Sequence, residues 1–244
     1  MTGIAKGTVP KLLADLGAAC SEYQRRTLVD LRCKRIQCDE IWSFCYAKEK
    51  NVPENMKGNP GVGHVWTWTA MDADSKLVIS WLVGGKDAGY ATEFINDLAG
   101  RLSTRVQLTT DGHRVYLEAV VGAFGADVDY AMLIKLYGEA PEQGKRYSPA
   151  QCTGCRKTRI EGHPDPRHVS TSFVERLNLT MRMSMRRFTR LTNAFSKKVE
   201  NLEAAVALHF MWYNFGRIHQ TLRLTPAMHA GVSDHLWSIE EVVG

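Results

Sequence analysis

The stretch QLTTDGHRVY, residues 107–116, holds one acid, Asp111, where a buried-strand pattern stops and a helical one begins. Open α/β sheets bind ligands at the ends of their strands, so an acid at such a point is a candidate for chemistry. TTDG is also a sufficient sequence for an Asx turn, with Gly112 supplying an unusual dihedral. The choice depends on which other acids the fold brings to the same end.

Working outward, RVQLTT reads as a strand and GHRVYLEAVVGAFG as the helix after it. Upstream, residues 8–30 have the 3–4 spacing of a helix, with Leu12, Leu13, Leu16 and Ala19 in step. KRIQCDEIWSFCYA, rich in β-branched and aromatic residues, reads as a first strand. HVWTWTAMDADSKLVISWLVGG reads as a hairpin turning at DADSK, and AGYATEFINDLAGRL as an amphipathic helix. Downstream, VDYAMLIKLYG is a fifth strand, and about thirty Pro- and Gly-punctuated residues read as a long loop inserted at about 138–171. From Ser172 to about His219 the pattern is helical, interrupted near LTNAFS.

The 244 residues, 44% hydrophobic and 23% charged, are enough for one sizeable core. No apolar run has the length of a membrane span, and no signal peptide is evident, so a cytoplasmic, nucleoid-associated protein is expected. Net charge is +5, unevenly placed. Residues 171–223 hold nine Lys/Arg and three acids, a local excess of +6 that suits a polyanionic partner, although a solvated helix face would look the same. Six cysteines do not resemble a secreted disulfide framework and are expected as thiols or metal ligands. CTGC (Cys152, Cys155) followed by His163 and His168 has zinc-ligand chemistry, but the gap to the first His is short for a finger. Loop thiols without zinc are the expectation there.

The order βββαβαβ-loop-α resembles the ribonuclease H-like fold: α/β, with a mixed five-stranded sheet flanked by helices. That arrangement makes the first and fourth strands neighbours, so Asp39 and Asp111 would share one end of the sheet. Two partly buried carboxylates raise each other's pKa unless a cation lies between them, and oxygen ligands favour Mg²⁺ or Mn²⁺. Glu175 is the third candidate. On a helix it shares a face with Asn178, Arg182 and Arg186, while Phe173, Leu177, Ser184, Phe188 and Leu191 form a second face able to pack on the sheet. The layout suits a phosphodiester at a metal site with its flanks gripped by arginine. Separately, each acid has a plainer reading: Asp111 as a turn residue, Glu175 as an ion-pair partner of nearby arginines.

With CDEIWSF, TDGH and VERLNLTMR in that order, the chain resembles DDE-type transposases, most closely the insertion sequence 1 family. The matching segments span about residues 1–239. The resemblance implies that Asp39, Asp111 and Glu175 are the catalytic, metal-holding acids. Asp39 would bridge two Mg²⁺ or Mn²⁺ ions, with Asp111 on one and Glu175 on the other. It implies cleavage at the ends of a transposable element and transfer of the freed 3′-hydroxyl into target DNA. Double-stranded DNA would be the partner and a homo-oligomer the working form. Glu40 is an alternative ligand but is expected on the opposite strand face from Asp39. TGIAKGTVPKLLADLG resembles the turn and second helix of a helix-turn-helix, with Gly3 in the turn and Thr8–Leu13 opening the recognition helix. In the family, a zinc finger and the motif's first helix usually lie upstream of this point. The expected divisions are residues 1–32 (partial helix-turn-helix), 33–224 (catalytic domain) and 225–244 (tail).

Arg176, Asn178, Arg182, Arg186, Arg187, Arg190, Lys197 and Lys198 are the expected DNA contacts. YNFGRIHQTL supplies Tyr213 and Phe215 as core residues, with Arg217 and His219 as DNA contacts or helix caps. Trp66, Trp68 and Trp81 suit the core, or stacking on an unpaired base. Two competing functions stay open: a structure-specific nuclease on the same fold, and a catalytically silent DNA-binding remnant.

Overall fold

A computed structural model describes residues 3–138, 152–189 and 191–244. β1 (Arg35–Cys45), β2 (Gly63–Asp72) and β3 (Val78–Gly84) form an antiparallel meander, followed by α2 (Ala88–Gly100), β4 (Val106–Asp111), α3 (Val115–Phe124) and β5 (Val128–Tyr137). α1 (Thr8–Thr27) precedes them, and α4 (Ser172–Ser184) and α5 (Val199–Met211) follow. With β6 (Cys152–Glu161) at one edge, the sheet runs in the order β3-β2-β1-β4-β5-β6, and β4 is parallel to both β1 and β5.

The sheet is mixed α/β as expected, but it has six strands rather than five. β6 (Cys152–Glu161) pairs antiparallel with β5 from Tyr137↔Cys152 to Tyr130↔Glu161, inside the stretch read as a loop. Its residues, CTGCRKTRIE, are mostly exposed, so neither face needed apolar side chains. An edge strand held chiefly by backbone hydrogen bonds leaves no alternation to read.

β1 lies at the centre because its sequence is fit to be covered on both sides. Ile36 and Cys38 face one core with α2 and α3; Ile41 and Cys45 face the other with α4 and α5. The α4 pattern is rotated from the expected one. Val174, Leu177 and Met181 are its buried apolar stripe, whereas Phe173 and Leu191 are exposed. The helix also stops at Ser184, because Met185 is extended (φ −123°) and Arg186–Phe188 form a separate 3-10 turn. Arg186 therefore leaves the face that Glu175 and Asn178 share. The backbone stays irregular until Val199, a longer break than LTNAFS alone suggested.

α1 packs along α5 through Gly17, Cys20 and Gln24. The Gln24 amide donates to the Ala207 carbonyl at 3.0 Å. A Cβ on Gly17 would lie 2.4 Å from the Cα of Ala204, so the two helix backbones meet there. Gly→Ala ordinarily stabilises a helix interior by about 1 kcal/mol. At position 17 the sign should reverse, with Gly17→Ala costing about 1–3 kcal/mol in urea unfolding through overpacking. A stabilised variant would mean that α1 does not sit on α5. None of the described helices is long and apolar enough to cross a membrane.

Candidate active site

β1 and β4 are hydrogen-bonded only at their start, from Arg35↔Gln107 to Gln37↔Thr109. β1 then follows β2 as far as Cys45, while β4 follows β5 to Asp111↔Leu133. The strands part, and Asp39 and Asp111 each stand two residues past the last paired positions. They are thus level across the opening. Farther on, Cys45 bridges Ser196, and the Tyr46 N–H donates to the Ser196 carbonyl at 2.9 Å. Between these two contacts, among the described residues, that edge of β1 has no strand partner, which leaves a notch.

Gln37 sets the third acid. Its buried Oε1 accepts the Phe173 and Val174 N–H groups at 2.9 and 3.2 Å, docking the start of α4 onto β1. Glu175, one residue farther along that first turn, faces the notch. Its carboxylate is held by Lys135 Nζ from β5 and by the Thr171 hydroxyl. Asp39, Asp111, Glu175, His113, Lys135 and Thr171 together line a recess of about 530 Å³.

At the inner end of this recess, carboxylate oxygens of Asp39 and Asp111, which line it, and of the buried Glu40, which does not, lie within 4.8 Å of one another. Glu40 does occupy the other face of β1, toward His113 and Lys86. The gap between β1 and β4 nevertheless lets Asp111 approach it and Asp39 alike. Glu175 stands outside this group of three, engaged with Lys135. Asp111 also makes the Asx turn, its Oδ1 accepting the His113 N–H at 2.9 Å. Gly112 has no unusual dihedral, and a Cβ there would make a tight 3.1 Å contact with Ile134 Cγ1.

The electrostatics of these acids would suit a bound cation. Burial, then the charges of Asp111 and Glu175, push Asp39 up to about 6, against the pull of the Glu40 N–H and the Asn178 amide. Burial and Asp111 push Glu40 up to about 8, although Lys86 pulls it down. Glu40 Oε1 is fully buried without a hydrogen bond, and His113 Nδ1 faces it at 3.2 Å. Burial and Lys86 lower the His113 pKa. Clustered carboxylate oxygens with an unsatisfied lone pair suit a hard divalent cation.

The expected DNA contacts fall in different settings. Asn178 is buried, and its amide donates to Asp39 Oδ2 at 2.9 Å, so it orients an acid rather than meeting solvent. Arg187 is half-buried and donates to Ser196 Oγ at 2.6 Å. Arg176, Arg186, Lys197 and Lys198 are exposed, and Arg182 is partly buried. Arg190 lies outside the described residues. Cys152 and Cys155 are exposed at one end of β6, and His163 follows its other end, roughly 20 Å along the strand from Cys155.

Sequence reading missed Gln37, Lys135, the orienting role of Asn178 and the closeness of Glu40. Lys135 alone left a signal, as a single cation in the apolar run AMLIKLY.

No protein-family model and no curated protein matches the chain. Among solved structures, it is similar to a piggyBac transposase synaptic complex with hairpin DNA determined by cryo-electron microscopy. The TM-score is 0.37 and the identity 9%, over 87% of this chain and 51% of that one. This chain thus spans about half the length of the solved chain it matches, and so loose a likeness defines no family.

Proposed function

We propose that this chain is a metal-dependent DNA transposase of the insertion sequence 1 kind, with Asp39, Asp111 and Glu175 as its catalytic acids. The observation that carries the reading is the placement of Asp39 and Asp111. They stand level where two parallel strands part, with Glu175 in the same recess. Asp39 and Asp111 would hold Mg²⁺ or Mn²⁺ first, with Glu175 joining when it leaves Lys135. Such ions would supply Lewis-acid charge and ease deprotonation of an attacking water or hydroxyl. Asn178 fixes the rotamer of Asp39, and Gln37 fixes the distance between β1 and α4. Lys135, once released by Glu175, is placed to meet a phosphate oxygen at the recess. The exposed Arg176, Arg186, Lys197 and Lys198 would hold flanking phosphates of double-stranded DNA, and Thr8–Leu13 at the exposed start of α1 could add contacts. A homo-oligomer holding two DNA ends completes the proposal.

A strand-transfer assay with Mg²⁺ or Mn²⁺ tests this reading. Joining of a pre-cut 3′ end to a second duplex is the expected result. Cleavage without joining would reassign the chain as a nuclease, and neither would mark it as a binding remnant.

Metal binding also has a readout apart from activity. Carboxyls held above their ordinary range favour the fold below about pH 4, and that contribution is lost as pH rises through about 6 for Asp39 and 8 for Glu40. With EDTA, stability to urea should therefore fall between about pH 5 and pH 9, on the order of a few kcal/mol. Millimolar Mn²⁺ should remove much of that fall. Parallel pH curves with and without the ion would argue against a metal at these acids.

A further inference from the structure

The β1–β2 face that carries Glu40 continues past the acids as an aromatic surface. Opposite Glu40 stands Trp68, fully buried against Phe94 and Tyr116. Trp42 and Trp66 are directly opposed and both only partly buried, and the next pair is the buried Phe44 and the exposed His64. Phe195, from the segment bridged to Cys45, lies 4.7 Å from the Phe44 ring.

Cations are interleaved with these rings. Lys86 Nζ sits 4.3 Å over Trp66 and 3.8 Å from Glu40, linking the strip to the acids. Lys197 sits 4.3 Å over Phe195, and Lys48 is 5.6 Å from the centre of Phe44. Two recesses, of about 580 and 920 Å³, adjoin at Lys48 and Lys50. Among the described residues, Glu49 is the single acid lining them, against Lys48, Lys50, Lys57 and Arg186. From Glu40 to Phe44 the strip extends roughly 13 Å along β1.

Two neighbouring indoles left partly open to solvent, one of them with an ammonium group on its face, are not explained by core packing. Rings that accept stacked bases, spaced by amines that neutralise phosphates, are the chemistry of unpaired nucleotides. A closed duplex buries its base faces and would use only the amines. We propose that this strip binds a short single-stranded DNA segment next to the acid recess, so that the strand being processed is held open there. The proposal rests on DNA being the substrate, as in the function proposed above, and adds where an unpaired strand lies.

The test is fluorescence anisotropy of the whole chain in EDTA, with a labelled oligothymidylate and with a blunt duplex of matched length. Trp42→Ala and Trp66→Ala should each weaken single-strand binding by about tenfold, with duplex binding changed by less than about twofold. Trp42→Phe, which keeps a ring, should retain most of the single-strand affinity, and unchanged duplex binding by the alanine variants themselves separates a lost stacking contact from misfolding. Unchanged single-strand affinity in both alanine variants would overturn the proposal, as would equal losses on the duplex. Because the readout needs no metal and no cleavage, a chain that cuts nothing can still pass or fail it. Failure of the transposase reading is thereby kept separate.

Discussion

Asp39→Asn is expected to lower Mg²⁺-dependent DNA cleavage by at least about a thousandfold, since in the proposed function Asp39 would be a ligand to catalytic ions, a role worth several kcal/mol of transition-state stabilisation. Folding and DNA affinity should change little, because asparagine is isosteric and Asp39 lies inside the recess rather than on the basic surface. A second effect follows from the crowding of Asp39, Glu40 and Asp111 within 4.8 Å. Neutralising one member relieves burial and repulsion costs that hold Asp39 at about 6 and Glu40 at about 8. Without metal, the inactive variant should therefore be at least as stable as the wild type near neutral pH, the usual exchange of stability for function at a site. Asp111→Asn and Glu175→Gln should likewise abolish cleavage. Near-normal cleavage by any one of them would remove that residue from the catalytic set.

Asn214→Ala is expected to produce the largest loss of stability. Asn214 is completely buried in the π-helical turn Trp212–Gly216, and its amide spans the backbone of Val78 on β3. Oδ1 accepts the Val78 N–H at 3.0 Å, and Nδ2 donates to the Val78 carbonyl at 2.9 Å. Alanine leaves both buried backbone groups without partners, at about 1–3 kcal/mol each. The same turn places Phe215 against Tyr23 of α1 and Trp237, so slackening it loosens α1 as well. Thermal unfolding should shift down by roughly 5–15 °C. A shift near zero would mean that the end of α5 is not fastened to the sheet in this way.

Much of the frame was legible because it is written in burial. The β1–β2–β3 meander, the helices on either side of β4 and the position of Asp111 at a strand end all follow from apolar patterning. Where burial is absent, the pattern is silent. β6 is an exposed edge, and the break after Ser184 depends on the extended backbone of Met185. Side chains that act sideways across the fold were also illegible. Gln37 reaches α4, Asn178 reaches Asp39, Lys135 reaches Glu175, and Asn214 reaches β3, each across forty or more residues of sequence. Alternation along β1 correctly put Glu40 on the face away from Asp39. It could not show that β4 peels away after Thr109 and opens a gap in which Asp111 nears both.

The most direct test of the account is a crystal of the protein soaked in Mn²⁺ and measured for anomalous scattering. Strong peaks are expected within coordination distance of the Asp39 and Asp111 carboxylates, with Glu175 joining them once it has left Lys135. Mn²⁺ bound only elsewhere, or no peak at these acids in crystals that take up the ion, would contradict it.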